Sequence, residues 1–448
     1  MTVSARERIH LLLDDSTFNE LGQQMSEGLI TGYGTINGQL VFVYAQDSLS
    51  AQRGFGTKEA QKIEQVASLS YNNGAPLIGL LDDEGVKTEE GLSLLTAFGK
   101  VYQACHKAKG VVPLIIGILG PAIGGTALMP ALADFVFVVS NQTDWHISNS
   151  LALKAQKLQN LGQTDLFLEN EHSCLQAIRN LITQLPPNYL GSAKIEPQLI
   201  EGLISDFNER YASLKLLLDN KNNSFDMIQC LELLLGSDNF FELRPHIGTG
   251  MITGLTKMAG VTVGVVANQP IVDEGRLELY GMKKASDLIN YCSAFNIPVV
   301  TFVNSKGFVE DINQEQAGLS SAAKDLMLAY LNCGAAKITI VAGNALGTAF
   351  NILGSKAVGA DIIYGWSSAQ IGLFSSEATN YLNNYHQLIS NENDGSVWPE
   401  TLAITRAQVA TPKAALEAGL VDSLIEPEET LMGLYNALNM LQRKGRPS

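Results

Sequence analysis

Charge is scarce in this chain: charged residues make up 17% of its 448 positions, and no run of five like charges occurs. The formal net charge is −15 with no basic stripe, which argues against a nucleic-acid partner. The five cysteines (Cys105, Cys174, Cys230, Cys292, Cys333) are odd in number, and no two stand at metal or redox spacing. That pattern argues against a disulfide framework and a thiolate metal site, and it fits reduced, buried thiols in a cytoplasmic protein. The opening MTVSARERIHLLLDD lacks the apolar core and cleavage site of a secretory leader. There is no G-x-S-x-G elbow and no phosphate loop ending in G-K-[ST], and GTGMITG (Gly248–Gly254) has the wrong spacing for a dinucleotide fingerprint. The six histidines are scattered without ligand spacing and read as structural or surface residues.

One apolar stretch imitates a membrane span. Gly110 to Ala133 carries no charge and is long enough to cross a bilayer. Pro113, Pro121 and Pro130 interrupt it, and GPAIGG (Gly120–Gly125) breaks it in the middle. A buried strand, a tight turn and a buried helix fit it better.

What is present is a repeat. INGQLVFVYAQD (Ile36–Asp47) lines up with MAGVTVGVVANQ (Met258–Gln269), placing Gly38 on Gly260, an offset of 222 positions. The same offset places Pro76 on Pro298 and Gly85 on Gly307. After one inserted residue, Gly124 falls on Gly347. So long a period implies one domain fold used twice, not a solenoid. Each half reads as a strand pair around a Gly turn, a helix, Pro and a strand, a second helix and strand, then a Gly turn opening a helix. Such alternation predicts parallel sheets covered by helices, with strands buried on both faces. The boundary is expected between residues 228 and 229, with the polar stretch 141–230 as helical decoration and linker.

The two Gly turns are the best places for chemistry. Each follows a buried strand and opens a helix, where backbone N–H groups lack intrahelical acceptors. A pair of such groups can hold a developing oxyanion. The acidic run Asp82–Asp83–Glu84 has metal-ligand residue types, but a solvated loop is the simpler reading, and no metal is expected.

At this point the chain resembles a known family. ARERIHLLLDDSTFNEL (Ala5–Leu21), VYAQD (Val43–Asp47), NGAPLIGLLD (Asn73–Asp82) and GPAIGGTALMPALADF (Gly120–Phe135) resemble segments of the carboxyltransferase subunits of biotin-dependent acyl-CoA carboxylases and decarboxylases. GVVANQP (Gly264–Pro270), CSAFNIPVVTFV (Cys292–Val303), Gly307–Phe308, Gln314–Glu315, GSKAVGAD (Gly354–Asp361) and EAGLVDSLIEP (Glu417–Pro427) continue the likeness in order. The resemblance implies an α/β fold of two tandem crotonase-like (ClpP/crotonase) domains related by the repeat. It implies that the N-terminal half binds acyl-CoA and the C-terminal half binds carboxybiotin on a separate carrier protein. It implies a homo-oligomer, a dimer or trimer of dimers, with a site shared between subunits. A biotin carboxylase subunit or membrane decarboxylase subunits are the further partners it suggests. One oxyanion hole maps to Gly124 and Gly125, the other to Thr348 and Ala349. Gly120, Arg53, Lys87, Gly347, Asn351, Gly307 and Phe308 map to substrate-binding positions.

The chain departs from the family pattern in places. DDEGVK (Asp82–Lys87) stands where relatives read Asp-Ser-Gly-Gly-Ala-Arg, and Gln52 and Arg53 replace glycines. The second turn reads Leu-Gly-Thr instead of Tyr-Gly-Gly, and Ser321 and Asp325 stand where Arg and Lys are common. These departures keep two alternatives open. One is a catalytically impaired supporting subunit of a mixed assembly. The other is a biotin-free crotonase-type acyl-CoA decarboxylase or hydrolase.

Overall fold

The computed structural model describes residues 3–46, 50, 54–83, 85–140, 143–147, 162–191, 195–219, 224–237, 239–373, 411–442 and 444. The chain divides into two compact units, Met1–Ala193 with Leu243–His246, and Lys194–Glu242 with Ile247–Ser448. The division falls ahead of the expected boundary. The helix Pro197–Leu218, within the stretch expected to be helical decoration and linker, buries Phe207 and Leu214 in the second unit's core beside Trp366 and Leu434.

In the first unit, β1 (Asn19–Leu21), β2 (Leu29–Ile36), β3 (Gln39–Gln46), β4 (Leu77–Asp83), β5 (Leu114–Ile123), β6 (Phe135–Val139) and β8 (Leu166–Leu168) form one sheet in the order β1-β2-β3-β4-β5-β6-β8. The short β7 (Trp145–His146) pairs with β5. β2 and β3 are an antiparallel hairpin, and β3 through β8 run parallel along this order. The hairpin turns at Asn37 and Gly38, both with positive φ. The helices Thr57–Asn73 and Ser93–Ala108 pack together over the sheet. β4 is buried along its whole length, which is why its apolar run does not alternate.

The second unit repeats this order. β9 (Phe241–Leu243), β10 (Met251–Met258), β11 (Val261–Asn268), β12 (Val299–Ser305), β13 (Lys337–Leu346), β14 (Ile362–Trp366) and β16 (Ser423–Ile425) lie in the order β16-β14-β13-β12-β11-β10-β9, and β15 (Gln370–Gly372) pairs with β13. The offset of 222 holds at the level of single bonds. Phe42 N–H donates to the Pro76 carbonyl at 2.8 Å, and Gly264 N–H donates to the Pro298 carbonyl at 2.8 Å. Isolated bridges join Phe55 to Val86 and Leu277 to Phe308. Helix Thr57–Asn73 stops at Gly74, φ 61°, and helix Leu279–Ala294 stops just before Asn296, φ 52°. Glycine and asparagine are the residues that tolerate this left-handed stop at least cost.

The uncharged stretch Gly110–Ala133 is β5, a turn and the helix Leu128–Leu132. Among the described residues no helix is long and apolar enough to cross a membrane. The five cysteines are all buried and unpaired.

Candidate active site

β5 ends where Gly124 takes φ 69°, and β13 ends where Gly347 takes φ 62°. A β-carbon would strain either position, so a glycine is required at both. Both turns lie at the carboxyl ends of parallel strands, the edge where open α/β sheets bind ligands.

The first turn is partly committed to its own fold. Gly124 N–H donates to the His146 carbonyl at 3.1 Å, tying the turn to β7. Of the expected pair, Gly125 keeps its N–H without an acceptor among the described residues. The Gly125 carbonyl accepts the Tyr102 hydroxyl at 2.7 Å. The Phe98 ring covers the glycine, and a β-carbon there would lie 2.5 Å from Phe98 Cζ. Phe98 is in turn stacked on Phe55, with ring centroids 4.4 Å apart. Phe98 and Tyr102 were not expected from the sequence; their spacing of four on one helix face was the available signal.

The second turn opens the short helix Gly347–Ile352. Thr348 and Ala349 N–H groups have no acceptor among the described residues, as first-turn donors lack one by geometry. Thr348 is exposed, while Ala349 is buried. Asn351 is exposed on the same helix, and its carbonyl accepts Ser355 Oγ at 2.7 Å.

The other expected residues are spread over both units. Gly120 sits over Asp82 so closely that a β-carbon would overlap the carboxylate. Lys87 Nζ is 2.8 Å from the buried Glu59 Oε1, so its charge is already paired inside the unit. Gly307, φ 129°, gives its carbonyl to Leu277 N–H at 2.8 Å, and Phe308 is the next residue, in the same bridge. Gly120, Gly124 and Gly125 thus belong to the first unit and Gly307, Phe308, Gly347, Thr348, Ala349 and Asn351 to the second. Arg53, with Asp47, Gln52 and Glu84, lies outside the described residues.

The two aspartates of the acidic run are not solvated. Asp82 and Asp83 are 6% and 2% exposed. Arg8, 1% exposed, places Nη1 2.8 Å from Asp82 and donates from Nε and Nη2 to Glu171 at 2.7 and 2.9 Å. One buried guanidinium therefore serves two carboxylates, and the solvated-loop reading fails for Asp82 and Asp83 because both belong to β4, an interior strand buried along its length. Asp83 accepts Gly85 N–H at 3.0 Å and Gln46 Nε2 at 3.2 Å. Burial nevertheless pushes its carboxyl up to about 7. Among the described residues no group of three metal-ligating side chains comes together.

The carboxyl transferase domain model matches residues 3–448. The methylmalonyl-CoA decarboxylase subunit alpha of Veillonella parvula is 32% identical, over 99% of this chain and 90% of the relative. The propionyl-CoA carboxylase beta chain of Cereibacter sphaeroides is 31% identical, over 99% and 91%. Among solved structures, a transcarboxylase 12S core, a hexamer with hydrolysed methylmalonyl-coenzyme A bound, superposes with a TM-score of 0.85 at 25% identity, covering 99% of this chain and 90% of that one. This chain belongs to the carboxyl transferase family. It is an acyl-CoA carboxyltransferase built of two crotonase-like domains. The sheet order seen twice above is the crotonase-like unit, and the two glycine turns stand at the same place in each copy.

Proposed function

We propose that this chain transfers a carboxyl group between carboxybiotin, held on a separate carrier protein, and the α-carbon of an acyl-CoA. The observation that carries this reading is the pair of left-handed glycine turns, Gly124 and Gly347, at equivalent strand ends, beside N–H groups without an acceptor among the described residues. The first turn is assigned to the thioester. As a proton or carboxyl leaves the α-carbon, charge moves onto the thioester oxygen, and the Gly125 N–H is the donor assigned to hold it. Tyr102 anchors the Gly125 carbonyl, in the peptide that follows the donor N–H, and so steadies the turn that carries this donor. The second turn is assigned to the biotin ureido oxygen. Two donors without an acceptor among the described residues, Thr348 and Ala349, fit a carbonyl acceptor there. Carboxybiotin supplies an activated carboxyl group; the chain's part is to bind, orient and exclude water.

Methylmalonyl-CoA is the acyl-CoA we favour, because the names of the Veillonella relative and the transcarboxylase structure both carry it. Assembly into a homo-oligomer is part of the same proposal, supported by the hexameric transcarboxylase core. A second reading, an impaired supporting subunit, is supported by Lys87, whose charge is spent on Glu59, and by Asp325, which pairs with its neighbour Lys324 at 3.0 Å.

The test is carboxyl loss from methylmalonyl-CoA by the purified chain with and without free biotin. Biotin-dependent loss is expected. Loss without biotin transfers the assignment to a biotin-free decarboxylase or hydrolase. No loss in a folded, CoA-binding protein assigns the supporting role.

A further inference from the structure

Each sheet carries the same bulge just before its glycine turn. In the second unit Val303 pairs with Val341 and Ser305 pairs with Ala345, so β13 uses four steps where β12 uses two. In the first unit Leu81 pairs with Ile118 and Asp83 with Ala122, the same mismatch. A bulge bends its strand and re-aims the chain beyond it. Here the bulged strand leads within a few residues into Gly347 or Gly124.

One side chain fills each bulge, and the two units use different chemistry. Asn304 is fully buried, and its Oδ1 accepts Asn344 N–H at 2.9 Å, with Asn344 Nδ2 3.3 Å away. Asn304 N–H donates to Asn268 Oδ1 at 3.1 Å, and Asn268 Nδ2 donates to the Gly275 carbonyl at 3.1 Å. Gly343 lies against the Asn304 amide with no room for a β-carbon. At the matching place in the first unit stand Asp82 and Pro121. Proline has no N–H to give. Asp82 turns to Arg8 instead, while its own N–H still donates to Gln46 Oε1 at 3.0 Å.

We propose that Asn304 is a positioning residue for the second glycine turn, acting through the bulged N–H of Asn344. The inference rests on the reading of Gly347–Ala349 as the site that holds a reacting carbonyl. Asn304 contacts no reacting group. It sets the direction in which β13 leaves the sheet, and hence where the Thr348 and Ala349 N–H groups point.

The test uses the full-length protein and carboxyl transfer from methylmalonyl-CoA to free biotin. Asn304→Ala is expected to lower kcat about 10- to 100-fold, the cost of misplacing a reacting geometry by roughly 1 Å, with KM for the thioester within about twofold. Asn344→Pro removes the same hydrogen bond from the other side, in the residue type the first unit already accepts at Pro121. It is expected to give the same kcat loss, and the double variant should be no worse than either single one. A kcat for Asn304→Ala within about twofold of wild type, or additive losses in the double variant, overturns the proposal. So does loss of the fold in both single variants, which would assign Asn304 to stability alone. Gly347→Val separates the two claims. Unchanged kcat in Gly347→Val removes the underlying site reading. A loss there with none in Asn304→Ala and Asn344→Pro removes the positioning role alone.

Discussion

The Tyr102 hydroxyl donates to the Gly125 carbonyl at 2.7 Å while the Phe98 ring, one helical turn earlier, covers the same glycine's α-carbon. A single helix therefore holds the first glycine turn from two sides. The α-carbon beside the Gly125 N–H is covered, and the peptide that follows it is anchored through its carbonyl.

This contact sets the effect of substitution at Gly125. A β-carbon 2.5 Å from Phe98 Cζ forces a ring that is already stacked on Phe55 to move. Gly125→Val is expected to lower carboxyl transfer about 100-fold or more, the usual effect of losing an oxyanion donor. The melting temperature should fall modestly, since overpacking costs about 1–3 kcal/mol. Full activity in Gly125→Val would remove the first turn from the mechanism. Gly125→Ala combined with Phe98→Ala is expected to recover part of the loss.

Tyr102→Phe keeps the ring and removes the hydrogen bond. Stability should drop by about 1 kcal/mol, and kcat should fall several-fold with little change in thioester KM. The measurement is steady-state kinetics beside urea denaturation; an unaltered kcat with lowered stability would make the bond purely structural.

Arg8 lies at the bottom of the buried network. Arg8→Met leaves Asp82 and Glu171, both almost fully buried, without their shared cation. Breaking one partner of a buried ion pair costs about 3–5 kcal/mol, so a large drop in thermal stability is expected. Arg8→Met with Asp82→Asn and Glu171→Gln should recover much of it, and calorimetry on the three proteins decides the matter.

Asp83 makes stability depend on pH. Its carboxyl is raised by burial from 3.8 to about 7, so the folded state holds its proton more tightly than the unfolded chain does. The stability linked to that proton is fully present below pH 4 and is lost as pH rises through 7. Asp83→Asn should flatten the decline between pH 4 and 7 and raise stability at pH 8, by on the order of a few kcal/mol. Denaturation midpoints across this range that fall equally in both proteins would refute the assignment.

Much of this was written locally in the chain. Gly38 and Gly260, Gly85 and Gly307, and Gly124 and Gly347 are glycines with positive φ at repeat positions, so the backbone requirement shows directly as residue type. Pro76 and Pro298 mark strand starts for the same reason. Continuous apolar runs announced β4 and β12 because those strands are buried on both faces. Less was legible where the partner is remote. Arg8 and Glu171 are 163 positions apart, and nothing in either neighbourhood names the other. The acidic run Asp82–Asp83 looked solvated because charge suggests water unless a counter-ion is known. The helix Pro197–Leu218 fell within a stretch expected to be decoration and linker, because no local pattern shows that Phe207 and Leu214 enter the second unit's core.

The sequence by itself determined the repeat, the paired glycine turns and the family, since each depends on residue type at a fixed spacing. Tertiary structure alone decided which N–H groups of those turns lack an acceptor among the described residues. Gly124 spends its N–H on His146, a residue of a two-residue strand that no local pattern predicts. The same holds for Asn304 and Asp82, repeat equivalents that fill the same bulge, one by a hydrogen bond and the other by an ion pair. Hydrogen-bond partners are settled by packing, and packing brings together residues that the chain keeps far apart.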